Sequence, residues 1–150
     1  MKEVNIRNKR ASYDYEFIDT LVTGIVLSGT EIKSIRMGKA SVNESYCAIT
    51  NDELWVYNMD ISKYADGSYN NHEPKRVRKL LVKKSELKKW DSKLKNKGLT
   101  VIPVKLFINA TGLAKLKIAL AKGKKVFDKR DSIKEKDLKR DMDRIKVSRY

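Results

Sequence analysis

One histidine, one cysteine and 34 lysines and arginines are the residues of this sequence that could do chemistry. The first two have little to offer. A nucleophilic site needs a thiol or hydroxyl within reach of a base that a third group orients. His72 stands in a polar run beside Glu73 and Pro74, while Cys47 stands in the apolar run Tyr46-Cys47-Ala48-Ile49, and neither they nor the serines show elbow or triad spacing. A zinc site of nitrogen and sulfur ligands cannot be built from one of each. Gly24-Ile25-Val26-Leu27-Ser28-Gly29-Thr30 has Thr30 where a phosphate-binding loop needs lysine, and its interior is apolar. We read His72 as a surface loop residue and Cys47 as a small core residue. Catalytic residues, metals and cofactors are all expected to be absent.

The cations carry the signal. Against them stand 19 acidic residues, leaving a formal net charge of +15 in a chain that is 41% hydrophobic. A core can form, and the surplus charge must lie outside it, where it attracts phosphate backbones by releasing their condensed counterions. Lysines that merely solvate the surface are the bland alternative. The charge gathers in three clusters: Arg7 to Arg10, Lys75 to Lys97, and Lys122 to Arg149. In the first, Asn8-Lys9-Arg10-Ala11-Ser12-Tyr13 sets cations beside an aromatic ring, and a ring can stack on an unpaired base while cations hold phosphates. Strand packing is the competing reading of Tyr13 and Tyr15. In the second, we expect helix after Pro74, with Leu80, Leu81, Leu87 and Trp90 in its core and lysines on its wet face.

These clusters must be positioned by the elements between them. Residues Tyr15 to Leu27 are β-branched and aromatic, one or two strands with Gly24 as a bulge or bend. Ile32 and Ile35 suit one helical turn between Thr30 and Met37, stopped at Gly38. Ser45 to Thr50 and Glu53 to Asn58 flank Asn51-Asp52, which tolerate positive φ, so a hairpin is expected. Residues 60 to 74 read as loop. A helix follows from an N-cap at Ser85, ending at Gly98. Strands Leu99 to Ile108 and Leu113 to Leu120 alternate apolar residues with lysines, as a half-buried antiparallel sheet requires. About six strands, short helices and no βαβ alternation give a mainly β fold, and a small antiparallel barrel of oligonucleotide-binding (OB) type fits best.

The last 30 residues differ in kind, with twelve cations, six acids and few apolar residues. Ser132-Ile133-Lys134-Glu135 is a capping box, after which Leu138, Met142 and Ile145 form a narrow stripe. So thin a stripe gains little from packing on its own domain. Residues 122–150 are therefore expected to be a basic tail, disordered when free and helical on a partner, attached to a barrel of residues 1–121. The N-terminus has no apolar leader and no stretch is long and apolar enough to span a membrane, so we expect a cytoplasmic monomer with no membrane partner.

Several blocks together resemble the small protein B (SmpB) family: Asn8-Lys9-Arg10-Ala11; Gly24 through Arg36; Gly38-Lys39-Ala40 with Ser45-Tyr46; Arg78-Lys79-Leu80-Leu81; and Ala121-Lys122-Gly123-Lys124-Lys125 with Asp128-Lys129-Arg130. They stand in the family's order across nearly the whole chain. The resemblance implies a barrel that binds the tRNA-like domain of transfer-messenger RNA (SsrA RNA). With elongation factor Tu, through that RNA, it would be delivered to stalled ribosomes. It implies RNA contacts at Asn8 and Leu81, with Lys9, Arg10, Tyr13, Lys33, Arg36 and Lys39 around them. It further implies a tail that probes the small-subunit decoding centre and the empty mRNA channel through Lys124, Lys125, Phe127, Asp128, Lys129, Arg130, Ile145 and Lys146. The sequence departs from the family where many members carry His at the place of Tyr13, and Glu-Ala-Gly at the place of Val22-Thr23-Gly24. Phe127 replaces a His or Tyr. From the residues alone, a ribosomal or assembly protein of OB type remains the alternative, and a small nuclease the third.

Overall fold

The computed structural model of the chain describes residues 4–65, 71–95 and 98–123. The tail positions named above from Lys124 onward lie outside the described residues. Six strands close into a ring: β2 (Tyr15–Ile25), β9 (Ala114–Gly123), β8 (Leu99–Ile108), β4 (Tyr46–Thr50), β5 (Glu53–Tyr57) and β7 (Arg78–Leu81), every pairing antiparallel. Strand β1 (Asn5–Arg7) adds to β8, and β3 (Ala40–Ser41) pairs with β6 (Asp60–Ile61) in a separate two-stranded ribbon. Inward side chains such as Ile25, Leu54, Val56, Leu80, Val101, Leu106, Leu116, Ile118 and Leu120 fill the ring and are almost wholly buried. A filled interior without a lumen is what so small a barrel permits.

A helix plugs each mouth. At one end, α2 (Gly29–Arg36) starts at a capping box in which the Ser28 amide donates to the Glu31 carboxylate at 2.8 Å, and it ends before Gly38 at φ 74°. It drives the fully buried Ile35 into the core beside Met59 and Ile61. At the other end, α3 (Lys84–Leu94) buries Trp90, whose indole N–H donates to the Asp19 carboxylate at 3.1 Å. That bond, with the Thr20 amide and the nearby Lys93 and Lys89, holds the Asp19 carboxyl below its ordinary value. The short α1 (Ala11–Asp14) lies on the outside of the wall, where Ala11, Ile102, Ala119 and Ala121 form a second, small apolar cluster.

The expected hairpin is present, with Asn51 and Asp52 at φ 53° and 59°. Other expectations fail for identifiable reasons. Residues 78–81 are strand where helix was expected, because Arg78 takes an inward position that an apolar pattern cannot register. Leu81 is accordingly 53% exposed and is no part of a helix core. The break in β2 lies between Phe17 and Asp19 and not at Gly24, whose missing side chain instead makes room for Leu81: a Cβ there would stand 3.2 Å from the Leu81 Cβ. The α3 N-cap is Lys83, two residues before Ser85, the residue expected to cap the helix. The 60–74 segment includes β6.

His72 is also corrected. It is 7% exposed, with Nδ1 2.8 Å from the Thr30 hydroxyl and Nε2 2.8 Å from the Ile61 carbonyl. The ring ties α2 to β6 and is not surface chemistry. Beside it, the wholly buried Glu31 carboxylate receives Arg76 at 2.6 Å and Arg78 through Nε. The remaining Arg78 donors go to the carbonyls of Met59, Arg76, Glu73 and Pro74. Burial pushes the Glu31 carboxyl up, but the two guanidiniums and the Ser28 amide outweigh it and hold it down at about 2. Burial lowers the Arg78 guanidinium against the opposing pull of Glu31.

Candidate nucleic-acid interface

The N-terminal cluster is displayed by a single anchor. Ala11 is 4% exposed, clamped against Ile102, Ala119 and Ala121, and small residues on both sides let α1 sit close to the sheet. Asn8 fixes the approach to it. Its backbone N–H donates to Val104 at 2.9 Å, and its side-chain amide donates to the carbonyls of Pro103 at 3.0 Å and Val42 at 3.4 Å. Both amide hydrogens are thereby spent inside the protein, so Asn8 organises the segment and keeps only its carbonyl for a ligand. Lys9 and Arg10 are exposed, Lys9 anchored through its backbone N–H to the Asn43 side chain at 3.2 Å and Arg10 in a loose pair with Asp14 at 3.7 Å. Tyr13 is half-buried.

A cleft of about 810 Å³ opens between residues 8–11, Asp14 and Tyr15 on one side and Asn43–Tyr46 and Ile102 on the other. On its rim the Tyr46 ring is half exposed and stacks on Tyr57, with centroids 5.3 Å apart and planes 9° from parallel. An aromatic face presented to solvent in this way suits an unpaired base.

The strand register links this cluster to Leu81. In antiparallel pairs, directly opposed residues point to the same face. Leu81 faces Gly24, Gly24 faces Lys115, Lys115 faces Phe107, and Phe107 faces Asn5. One rung along, Val22 faces Lys117, Lys117 faces Lys105, and Lys105 faces Arg7. The alternate positions Leu80, Ile25, Leu116 and Leu106 are buried, so both rungs point outward. At about 4.8 Å per strand, the four steps of the first rung span roughly 19 Å along the curved wall and the three steps of the second roughly 14 Å. Its apolar end carries Leu81, Val22 at 56% and Val26 at 45% exposure, and its cationic end carries Lys115, Lys117, Lys105 and Arg7. The register thus brings Leu81 and the Asn8–Arg10 cluster onto one wall.

Of these cations the sequence places Arg7 in the first basic cluster, whereas Lys105, Lys115 and Lys117 were not among the expected site residues. Their signal was present as lysines alternating with core residues in two strands, but only the register shows that they adjoin. The α2 cations are placed differently. Lys33 turns to the Tyr64 ring at 5.4 Å, and Lys33, Arg36 and Lys39 are exposed at the plugged mouth. Lys39 leads into β3 and Val42, so it approaches the Asn8 cluster from that end. Among the described residues no group of three or more His, Cys, Asp or Glu could hold a metal. No helix among them is long and apolar enough to cross a membrane.

Comparison with known proteins agrees over nearly the whole chain. A family model described as SmpB protein matches residues 5–148. The SsrA-binding protein of Phocaeicola vulgatus is 63% identical over 142 residues, covering 95% of each chain. That of Cytophaga hutchinsonii is 57% identical over 147 residues, covering 98% of this chain and 96% of its own. A solved structure described as "tmRNA-SmpB: a journey to the center of the bacterial ribosome" superposes with a TM-score of 0.71 at 41% identity, covering 87% of this chain and 94% of that one.

Proposed function

The chain belongs to the SmpB protein family, and from that membership we propose that it is an RNA-binding adaptor of trans-translation. It binds the tRNA-like domain of transfer-messenger RNA and accompanies that RNA, with elongation factor Tu, to stalled ribosomes. It is cytoplasmic, monomeric and non-catalytic. Relatives named SsrA-binding protein and the structural neighbour on the bacterial ribosome support the two partners. The observation that carries the reading in this chain is the outer wall of β7, β2, β9, β8 and β1, where an apolar end at Leu81 grades into cations that have no carboxylate partners among the described residues. Cations hold phosphates and set the register of the RNA, while exposed apolar and aromatic side chains meet bases and sugars.

Within this wall Asn8, Lys9, Arg10, Tyr13 and Leu81 contact the RNA, and Lys33, Arg36 and Lys39 extend the positive field at one end. Residues 1–121 form the grip and residues 122–150 the ribosome-directed arm, although the sheet itself runs to Gly123. Lys124, Lys125, Phe127, Asp128, Lys129, Arg130, Ile145 and Lys146 serve at the decoding centre, where the arm competes with mRNA for one negatively lined channel.

Filter binding of transfer-messenger RNA against ordinary tRNA at two salt concentrations tests the first half, and deletion of residues 127–150 tests the second. The full chain should prefer transfer-messenger RNA at both salts, and the truncated chain should keep that affinity while losing peptide tagging. Equal binding of both RNAs, or parallel loss of affinity and tagging on truncation, would refute the reading.

A further inference from the structure

We propose that the hollow on the outer wall among β1, β8 and β9 is a seat for one phosphate group of an RNA backbone, held jointly by Arg7, Lys105 and Lys117. The proposal rests on the RNA-binding reading above and deepens it. The register sets Arg7 opposite Lys105 and Lys105 opposite Lys117, so three cations from three strands share one rung. Directly opposed residues have Cβ atoms about 4.5–5.5 Å apart, and like charges there are destabilising. Cations that only solvate a surface would spread apart, but the backbone register denies these three that freedom. Among the described residues no carboxylate lies within ion-pair distance of any of them. The Lys105 ammonium rests over the Phe107 ring at 4.8 Å, which keeps it on the outer face.

The rung is also concave. The β8–β9 register slips between Pro103 and Lys105, and the β2–β9 register slips between Phe17 and Asp19. Val104, Phe17 and Ala11 then wall a hollow of about 260 Å³ that Arg7, Asn8, Ser12, Lys105 and Lys117 complete. Its charged lining is entirely cationic, so it selects an anion. A phosphate group presents oxygens in several directions, and cations converging from three strands can each meet one of them with a charge-assisted hydrogen bond.

The test uses the full chain and the tRNA-like portion of transfer-messenger RNA, with affinity measured across a salt series. The variants are Arg7→Gln, Lys105→Gln and Lys117→Gln, singly and together. One neutralised phosphate contributes about 0.7–0.9 to the slope of log affinity against log salt. Each single variant should lower affinity by roughly tenfold. Because the three share one phosphate, which the remaining cations still neutralise, a single variant should leave the slope nearly unchanged, and the triple variant should flatten it by about one unit. Removing the 5′ phosphate of the RNA should change nothing. The triple variant should unfold at the wild-type urea midpoint or above it, since it loses a repulsive rung.

An unchanged slope in the triple variant overturns the seat, and so does a loss of two units or more, which would put the cations on separate phosphates. Affinity that depends on the 5′ phosphate overturns the backbone assignment, and a lowered urea midpoint overturns the repulsion on which the seat is inferred. If wild-type protein shows no preference for transfer-messenger RNA, the functional reading fails instead, and the slopes on either RNA still decide the seat.

Discussion

Replacing Glu31 with glutamine keeps the shape of the side chain and deletes its charge. The Arg78 guanidinium beside it is fully buried and keeps its carbonyl acceptors, but its anion is gone. Removing one partner of a buried pair costs about 3–5 kcal/mol, because the other charge is left uncompensated out of water. The carboxyl gives a similar figure by another route. It falls from 4.5 to about 2 in the folded protein, and at 1.36 kcal/mol per unit that is about 3 kcal/mol of stability. A domain stable by about 5–15 kcal/mol loses a large fraction of that margin.

Urea unfolding at pH 7, followed by fluorescence of Trp55 and Trp90, should show a midpoint lower by on the order of 1–3 M at unchanged slope. A depressed carboxyl stabilises the fold above its unfolded value and ceases to do so as pH falls through the folded one. The difference between wild type and Glu31→Gln should therefore be complete above pH 4.5 and shrink as pH falls toward about 2. A variant within about 1 kcal/mol of wild type at pH 7, or a difference that stays constant down to pH 2, would refute the reasoning.

Leu81→Asp should weaken transfer-messenger RNA binding by roughly tenfold or more while leaving the unfolding free energy within about 0.5 kcal/mol of wild type, since the side chain is half exposed. Comparing binding isotherms with unfolding curves checks this; a large stability loss would show Leu81 to be structural. Gly24→Val should displace Leu81, whose Cβ stands 3.2 Å from the new Cβ. It should reduce RNA affinity in the same direction, and unaltered affinity would show that Leu81 need not hold its place. Cys47 is buried and desolvation pushes its thiol far above the ordinary range. A disulfide reagent at pH 8 should label it only as fast as the barrel opens, and rapid labelling of folded protein would contradict its burial.

The parts of the fold that were legible in the sequence rest on local chemistry. Asn51 and Asp52 tolerate the left-handed backbone that the β4–β5 turn needs, and the apolar alternation of β8 and β9 places Leu106, Leu116, Ile118 and Leu120 inside. What was hidden depends on partners distant in the chain. Arg78 occupies a core position because Glu31, 47 residues away, neutralises it, so the inward alternation of Arg78 and Leu80 is invisible to a hydropathy pattern and the segment reads as helix. His72 is buried because Thr30, 42 residues away, and Ile61, 11 residues away, bond its ring. The candidate site divides in the same way. Asn8, Lys9, Arg10 and Leu81 were visible as residues, whereas the wall that joins them is written in the register of five strands.

That wall is tested most directly by following the amide and methyl resonances of the full chain while the tRNA-like domain of transfer-messenger RNA is added. Shifts should concentrate at Leu81, Val22, Lys115, Lys117, Lys105, Arg7 and Asn8–Arg10, with Lys84 and Lys88 on the opposite plug little changed. Shifts centred on α3 and the β4–β5 turn, with the β2–β9–β8 face silent, would contradict the account.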